Sequence, residues 1–226
     1  MLRKGPNKPS LSGILVPLAD ALKLLAKNFA LPFSSSHPVV LFSTCLLFCV
    51  SNTLIWCYYS SCQTAYLSSQ AALLLSLLSL PVFGIIGIGW GSNSKYSILG
   101  GTRAIAQTIS YEVSFAVLLL CLASVSGLEV WLRTVDLSTL PHLLIWFLLL
   151  LSGLAETNRS PFDMVEGESE LVSGFSVEAR SSLFTLIFLA EYLSILFQSA
   201  LLAVLLLRGH SLLCLLCTGF LAFFFV

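Results

Sequence analysis

A chain of 226 residues has room for one or two soluble domains, but its composition excludes a soluble fold. Hydrophobic residues make up 57% and charged residues 10%, against about 45–50% and about 25% in soluble domains, too few charges to cover a water-facing surface. The formal net charge is zero, which removes any long-range attraction for nucleic acid or an anionic partner. Composition therefore points to an all-α, polytopic membrane helix bundle.

The chain opens with Arg3, Lys4 and Lys8 and no immediate apolar core, so no signal peptide is expected. Over 11–27, Leu11, Ile14, Leu15, Leu18, Leu22 and Leu25 recur at helical spacing, while Asp20, Lys23 and Lys27 fall on other faces. This pattern predicts an amphipathic helix lying in the membrane interface, distorted at Pro17 and ended by Pro32 and Ser34–Ser36. A surface helix docked on a partner would carry the same pattern. The expected division is residues 1–36 as a basic N-terminus with an interfacial helix, and 37–226 as a transmembrane bundle with an acidic inner-side loop at 156–180.

Against the ~20 residues a helix needs to cross a bilayer, six apolar stretches stand out, near 38–59, 67–89, 103–125, 141–155, 182–207 and 211–226. The fourth and sixth are short, and the fourth gains a turn if Gly153–Glu156 continues it. With the N-terminus inside, the inner segments hold Arg3, Lys4, Lys8, Lys23, Lys27, Lys95, Arg103, Arg159 and Arg180, and the outer ones only Arg133 and Arg208. That positive-inside bias puts the acidic loop on the cytoplasmic or matrix side.

Several chemistries find no support. Gly84, Gly87, Gly89 and Gly91 lack phosphate-loop spacing, and Gly87 with Gly91 reads as a helix-packing GxxxG pair. Ser169 and Ser173 have no nucleophile elbow, and His37, His142 and His210 lie far from them in sequence. Cys214 and Cys217 form a lone CxxC within an apolar run, without further ligands for zinc or an iron–sulfur cluster.

Carboxylates in apolar surroundings are the remaining signal. Glu112 and Glu191 fall mid-span in the third and fifth stretches, where a charge costs roughly 2.5–3.5 kcal/mol on insertion scales. Each must face a partner, line a water-filled cavity or carry a proton; a static hydrogen bond or ion pair, for instance with Arg103, is the plain alternative. Between 156 and 180, Glu156, Asp163, Glu166, Glu168, Glu170 and Glu178 are joined by only Arg159 and Arg180. If 162–172 is helical, Asp163, Glu166 and Glu170 share a face, and like charges so close cannot all ionise cheaply. Interleaving with Phe162, Val165, Leu171, Val172 and Phe175 favours partial burial, and with it a proton relay or a charge-coupled conformational change, over a solvated acidic loop.

The segment AETNRSPFDMVEGESELVSGFSVE at 155–178 closely resembles the signature loop of the subunit 1 family of proton-pumping NADH:quinone oxidoreductase, respiratory complex I, a family that includes the bacterial counterparts. RKGPN at 3–7, PLADALKLLAK at 17–27, GWGSNSKYSILGGTRAIAQTISYEV at 89–113 and FLAEYLSI at 188–195 agree in the family's order. The resemblance implies a membrane subunit that meets the peripheral arm, helps form the quinone chamber and couples quinone reduction to proton translocation. It also implies that ubiquinone is the substrate. NAD, flavin and the iron–sulfur clusters then belong to partner complex I subunits, with none bound by this chain and no metal site in it.

By the same resemblance Glu112, Glu156, Asp163, Glu166, Glu168, Glu170, Glu178 and Glu191 form a proton and charge relay, with Arg103 and Arg159 balancing them. Asp20 and Ala21 match the stretch beside the quinone entrance. Family members carry a helix before RKGPN and a basic segment and helix beyond the seventh, so the second to seventh of eight helices are expected here. Separate polypeptides are expected to supply the others. The implied location is the mitochondrial inner membrane, with the bacterial plasma membrane as alternative. Rival functions are the homologous subunit of a membrane-bound hydrogenase or ferredoxin-dependent photosynthetic complex, and a remnant that only anchors the peripheral arm.

Overall fold

The computed structural model describes residues 16–27, 32–63, 70–126, 140–159, 162–163, 174–207 and 217–222. They form α1 (Val16–Ala26), α2 (His37–Gln63), α3 (Gln70–Ser79), α4 (Pro81–Gly91), α5 (Lys95–Ser126), α6 (Leu140–Glu156), a 3-10 turn (Gly174–Ser176) and α7 (Ser182–Leu207), with a helical segment at 217–222. No strand occurs among the described residues, as suits backbone that satisfies its own polar groups in a water-free medium. Four helical stretches are long and apolar enough to cross a membrane: His37–Cys57, Ala72–Gly91, Lys95–Leu122 and Ser182–Leu205. They are the first, second, third and fifth predicted stretches. The fourth is the shorter helix Leu143–Glu156, which does take in the turn at Gly153–Glu156. Most of the sixth lies outside the described residues.

Within the second stretch α3 and α4 meet at Leu80, which keeps helical dihedrals (φ −66°, ψ −35°). Pro81 has no N–H to donate, and its ring crowds the carbonyl one turn back, so the hydrogen-bond ladder is interrupted there. Large apolar side chains such as Phe42, Trp56, Phe83, Trp90, Val113 and Phe147 are exposed, and only 22% of the most apolar window of α5 is buried. An outward apolar surface of this extent is what lipid requires and water forbids.

Close approach of α4 to α2 rests on small residues. A Cβ on Gly87 would stand 2.6 Å from Ser43 Cβ, and one on Gly91 2.8 Å from Val40 Cγ2. The Gly87–Gly91 pair thus faces α2 as a packing surface. Two apolar cores result. One gathers Leu54, Phe115, Leu149, Phe197 and Leu202; the other gathers Leu47, Ile85, Ile88, Leu183 and Ile187 around the 3-10 turn residue Phe175.

The segments predicted to lie inside meet at one end of the bundle. Ser36 donates its backbone N–H to Gly91 O at 2.9 Å, Asn93 Nδ2 reaches Ser34 O at 3.3 Å, and Ser97 Oγ donates to Phe175 O at 2.9 Å. Ser181, at a left-handed φ of 58°, shares its hydroxyl proton between Leu24 O (3.0 Å) and Lys27 O (2.7 Å). That tie docks the end of α1 on the start of α7. Residues 11–15 of the predicted amphipathic helix lie outside the described residues, and Pro17 belongs to the described helix. Leu22 and Leu25 remain exposed beside Asp20 and Lys23, so this chain leaves part of the apolar stripe uncovered.

Candidate functional site

Three carboxylates interrupt the inward faces of three helices. Ala104, Thr108, Phe115, Leu119 and Leu122 form the buried stripe of α5, and the helical period sets Glu112 between Thr108 and Phe115 on that stripe. In α7, Glu191 follows Ile187 by one turn among buried Leu183, Ile187, Ala190 and Phe197. Glu156 is the last residue of α6. All three line one cavity of about 170 Å³, room for several waters. Its apolar wall draws on both cores, Leu47, Ile85 and Ile187 from one and Leu54, Leu78 and Phe197 from the other. The site is the seam between them.

The chain reverses sharply after α6. Asn158 N–H donates to Ala155 O (3.4 Å) and Arg159 N–H to Leu154 O (3.3 Å), with Asn158 at a left-handed φ of 52°. This is a Schellman ending in which asparagine takes the position glycine usually fills. The reversal brings Thr157, Asn158, Arg159 and Asp163 to the cavity wall. Gln107 of α5 holds the turn there, its Nε2 donating to Ala155 O at 2.9 Å and Phe162 O at 2.8 Å. One turn further, the Tyr111 ring packs on Phe162 with centroids 5.7 Å apart. The Arg159 guanidinium lies 5.6 Å from the centroid of the Tyr192 ring, a cation–π contact that holds a positive charge beside the carboxylates.

Glu156 Oε2 accepts a hydrogen bond from Gln198 Nε2 at 2.6 Å. Glu112 lines the same cavity wall as Glu156. Buried Gln107 Oε1, Asn158 Oδ1 and Gln198 Oε1 have no hydrogen-bond partner among the described residues. An acceptor left so costs about 1–3 kcal/mol, which a water or a protonated carboxyl in the cavity would recover. Such a constellation can pass protons and couple charges; it offers no nucleophile activated by a base.

Glu112, Glu156, Asp163, Glu191 and Arg159 are therefore brought together, although the Asp163 side chain is exposed. Glu178, half-buried just after the 3-10 turn, is not on the cavity wall. Arg103 is exposed on α5 and does not line the cavity. Nine residues from Glu112 on one helix, it is offset by ~13 Å of rise and cannot pair with it directly. Asp20 is exposed on α1, and Ala21 belongs to that helix. Glu166, Glu168 and Glu170, and with them the shared face expected over 162–172, lie outside the described residues. Gln107, Asn158 and Gln198 were not anticipated. Gln198 in the apolar run ILFQSALL could have been found by asking of buried amides what was asked of buried carboxyls.

Fold and site together define a polytopic helical membrane protein with titratable groups gathered in its apolar interior. The family model described as NADH dehydrogenase matches residues 1–226, and the chain belongs to that family. It is similar to NADH-ubiquinone oxidoreductase chain 1 of Lampetra fluviatilis, 42% identical over 212 residues covering 90% of this chain and 65% of the relative. The protein of that name from Strongylocentrotus purpuratus is 45% identical over 219 residues, covering 92% and 66%. That from Oryctolagus cuniculus is 42% identical over 219 residues, covering 93% and 68%. The chain thus spans about two thirds of the length of the curated relatives it matches.

Proposed function

We propose that this chain is a membrane subunit of proton-pumping NADH:ubiquinone oxidoreductase, helping to form the quinone chamber and coupling quinone reduction to proton translocation. The observation that carries the proposal is the convergence of Glu112, Glu156 and Glu191, from three helices, on one cavity at the seam of two apolar cores. Carboxyls in an apolar seam are expensive to keep even when protonated, hydrated or paired, and where they are kept they mark ion or proton pathways. Catalysis belongs to the assembled enzyme. Partner complex I subunits hold the flavin and iron–sulfur clusters and oxidise NADH, and ubiquinone accepts the electrons.

In this reading Glu112, Glu156, Asp163 and Glu191 relay charge across the cavity. Glu166, Glu168, Glu170 and Glu178 connect it to the quinone side, and Arg159 and, nearer the inner surface, Arg103 balance the carboxylates. Residues 1–36 form a basic interfacial region, with Asp20 and Ala21 beside the quinone entrance, and 37–226 form the bundle. The N-terminus and acidic loop face the matrix side of the mitochondrial inner membrane, supported by the meeting of basic segments at one end of the bundle. The relatives' names favour this subunit over its hydrogenase or photosynthetic counterparts, and a mere anchor gives no reason to keep three carboxyls in an apolar seam.

Neutralising Glu166 together with Glu170 tests the proposal. NADH-driven quinone reduction should slow, while assembly and NADH oxidation by artificial acceptors in the peripheral arm persist. Full quinone activity in the double variant would reduce the loop to a solvated connector.

A further inference from the structure

Glu156 faces a side chain that nothing above puts to use. Gln198 is 2% exposed, donates Nε2–H to Glu156 Oε2 at 2.6 Å, and buries its Oε1 without a hydrogen-bond partner among the described residues. A primary amide is both donor and acceptor, and the two ends exchange places by a half-turn about its last side-chain bond. When Glu156 is ionised, the amide must present N–H. When Glu156 is protonated, its O–H needs an acceptor, and the same amide supplies Oε1 after rotating.

Resting on the coupling reading above, we infer that Gln198 is a positioning residue whose amide turns over with each protonation change of Glu156, supporting both states of that carboxyl. A proton arriving from cavity water or a neighbouring carboxyl bonds to a Glu156 oxygen and neutralises it. The amide rotates, Oε1 accepts the new O–H, and the NH₂ group takes the place of the oxygen. Loss of the proton reverses each step, and the amide gains or loses none. The neighbours therefore meet a hydrogen-bond acceptor while Glu156 is ionised and a donor while it is neutral. Those that line the same cavity are Glu112 of α5, Glu191 of α7, and Arg159 and Asp163 after α6, with Tyr192 of α7 against Arg159. The orphaned oxygen in the ionised arrangement is the cost of having two arrangements available.

The test uses the assembled enzyme in native membranes. Gln198→Met keeps the volume and removes both hydrogen-bonding ends. It should lower kcat for NADH-driven quinone reduction by about tenfold, the size one hydrogen bond to a charged group commands. KM for quinone and ferricyanide-linked NADH oxidation should not change. Gln198→Glu, able to donate when protonated and accept in either state, should recover turnover at the acid end of the pH range only. The wild-type enzyme gives an independent readout if the Met variant fails to assemble. With isotope-labelled glutamine, infrared difference spectra between oxidised and quinol-reduced enzyme should show a labelled amide band that vanishes in Glu156→Met. A Met variant with wild-type kcat, or no labelled band, overturns the inference. If Glu156→Gln itself turns over at the wild-type rate, the coupling reading fails; if Glu156→Gln is slow and Gln198→Met is not, only the role of Gln198 fails.

Discussion

Replacing Gly100 by alanine should damage the quinone-linked reaction although the residue lies outside the cavity. Gly100 is where α5 meets the 3-10 turn with no side chain between them. An added Cβ would stand 2.6 Å from Gly174 C, 2.7 Å from Gly174 Cα and 2.8 Å from Phe175 N. All three are backbone atoms, so no side chain can swing away. Restoring an ordinary 3.4 Å contact from 2.6 Å requires the turn to recede by 0.8 Å. The hydrogen bond from Ser97 Oγ to Phe175 O, now 2.9 Å, would stretch beyond bonding distance. Overpacking of this kind costs about 1–3 kcal/mol, and the lost bond adds about 1 kcal/mol. Phe175 is a wall of the carboxylate cavity, so its displacement reshapes the site itself, and misplacement on this scale can cost a reaction up to ~100-fold. NADH–quinone turnover and thermal stability of the complex should both fall in Gly100→Ala, with ferricyanide reduction unchanged. Gly219→Ala, where a Cβ meets nothing within 4 Å, should be neutral in both assays. A Gly100→Ala enzyme with wild-type turnover and stability would refute the idea that α5 fixes the cavity wall through this contact.

Two further substitutions probe the supports of the site. Gln107→Met removes both hydrogen bonds to Ala155 O and Phe162 O, at about 1–3 kcal/mol. Limited proteolysis should then cut faster between residues 159 and 174, and an unchanged cleavage rate would mean the Schellman turn holds the loop alone. Ser181→Ala deletes the tie to Leu24 O and Lys27 O, worth about 0.5–1.5 kcal/mol. Backbone hydrogen exchange should rise in α1 and stay constant in the centre of α7; equal protection in both variants would assign α1 docking to apolar contact alone.

The spans were legible because a bilayer imposes length and hydropathy together, and five of the six predicted stretches coincide with described helices. The carboxylates were legible for the same reason, since Glu112 and Glu191 fall mid-span in apolar stretches. What could not be read was who meets whom. Gln198 finds Glu156 across 42 residues of sequence and Ser181 finds Lys27 across 154, distances over which local pattern carries no information. Arg103, offered as an ion-pair partner for the mid-span glutamates, is exposed on α5 and offset from Glu112 by ~13 Å of helical rise. The interruption of the hydrogen-bond ladder at Pro81 was written in the sequence yet hidden by the unbroken apolarity around it. Asn158 needed the backbone geometry of the α6 ending before its place on the cavity wall made sense.

Proton translocation per electron in Glu156→Gln bears most directly on the coupling of quinone reduction to charge movement through the cavity carboxyls. Membrane vesicles oxidising NADH with quinone as acceptor would report both the rate and the protons moved, and ferricyanide would report the peripheral arm. With Glu156 unable to ionise, proton movement should be lost and quinone reduction slowed, while ferricyanide reduction continues at the wild-type rate. A Glu156→Gln enzyme that reduces quinone and translocates protons at the wild-type rate and ratio would contradict the role of this cavity in coupling.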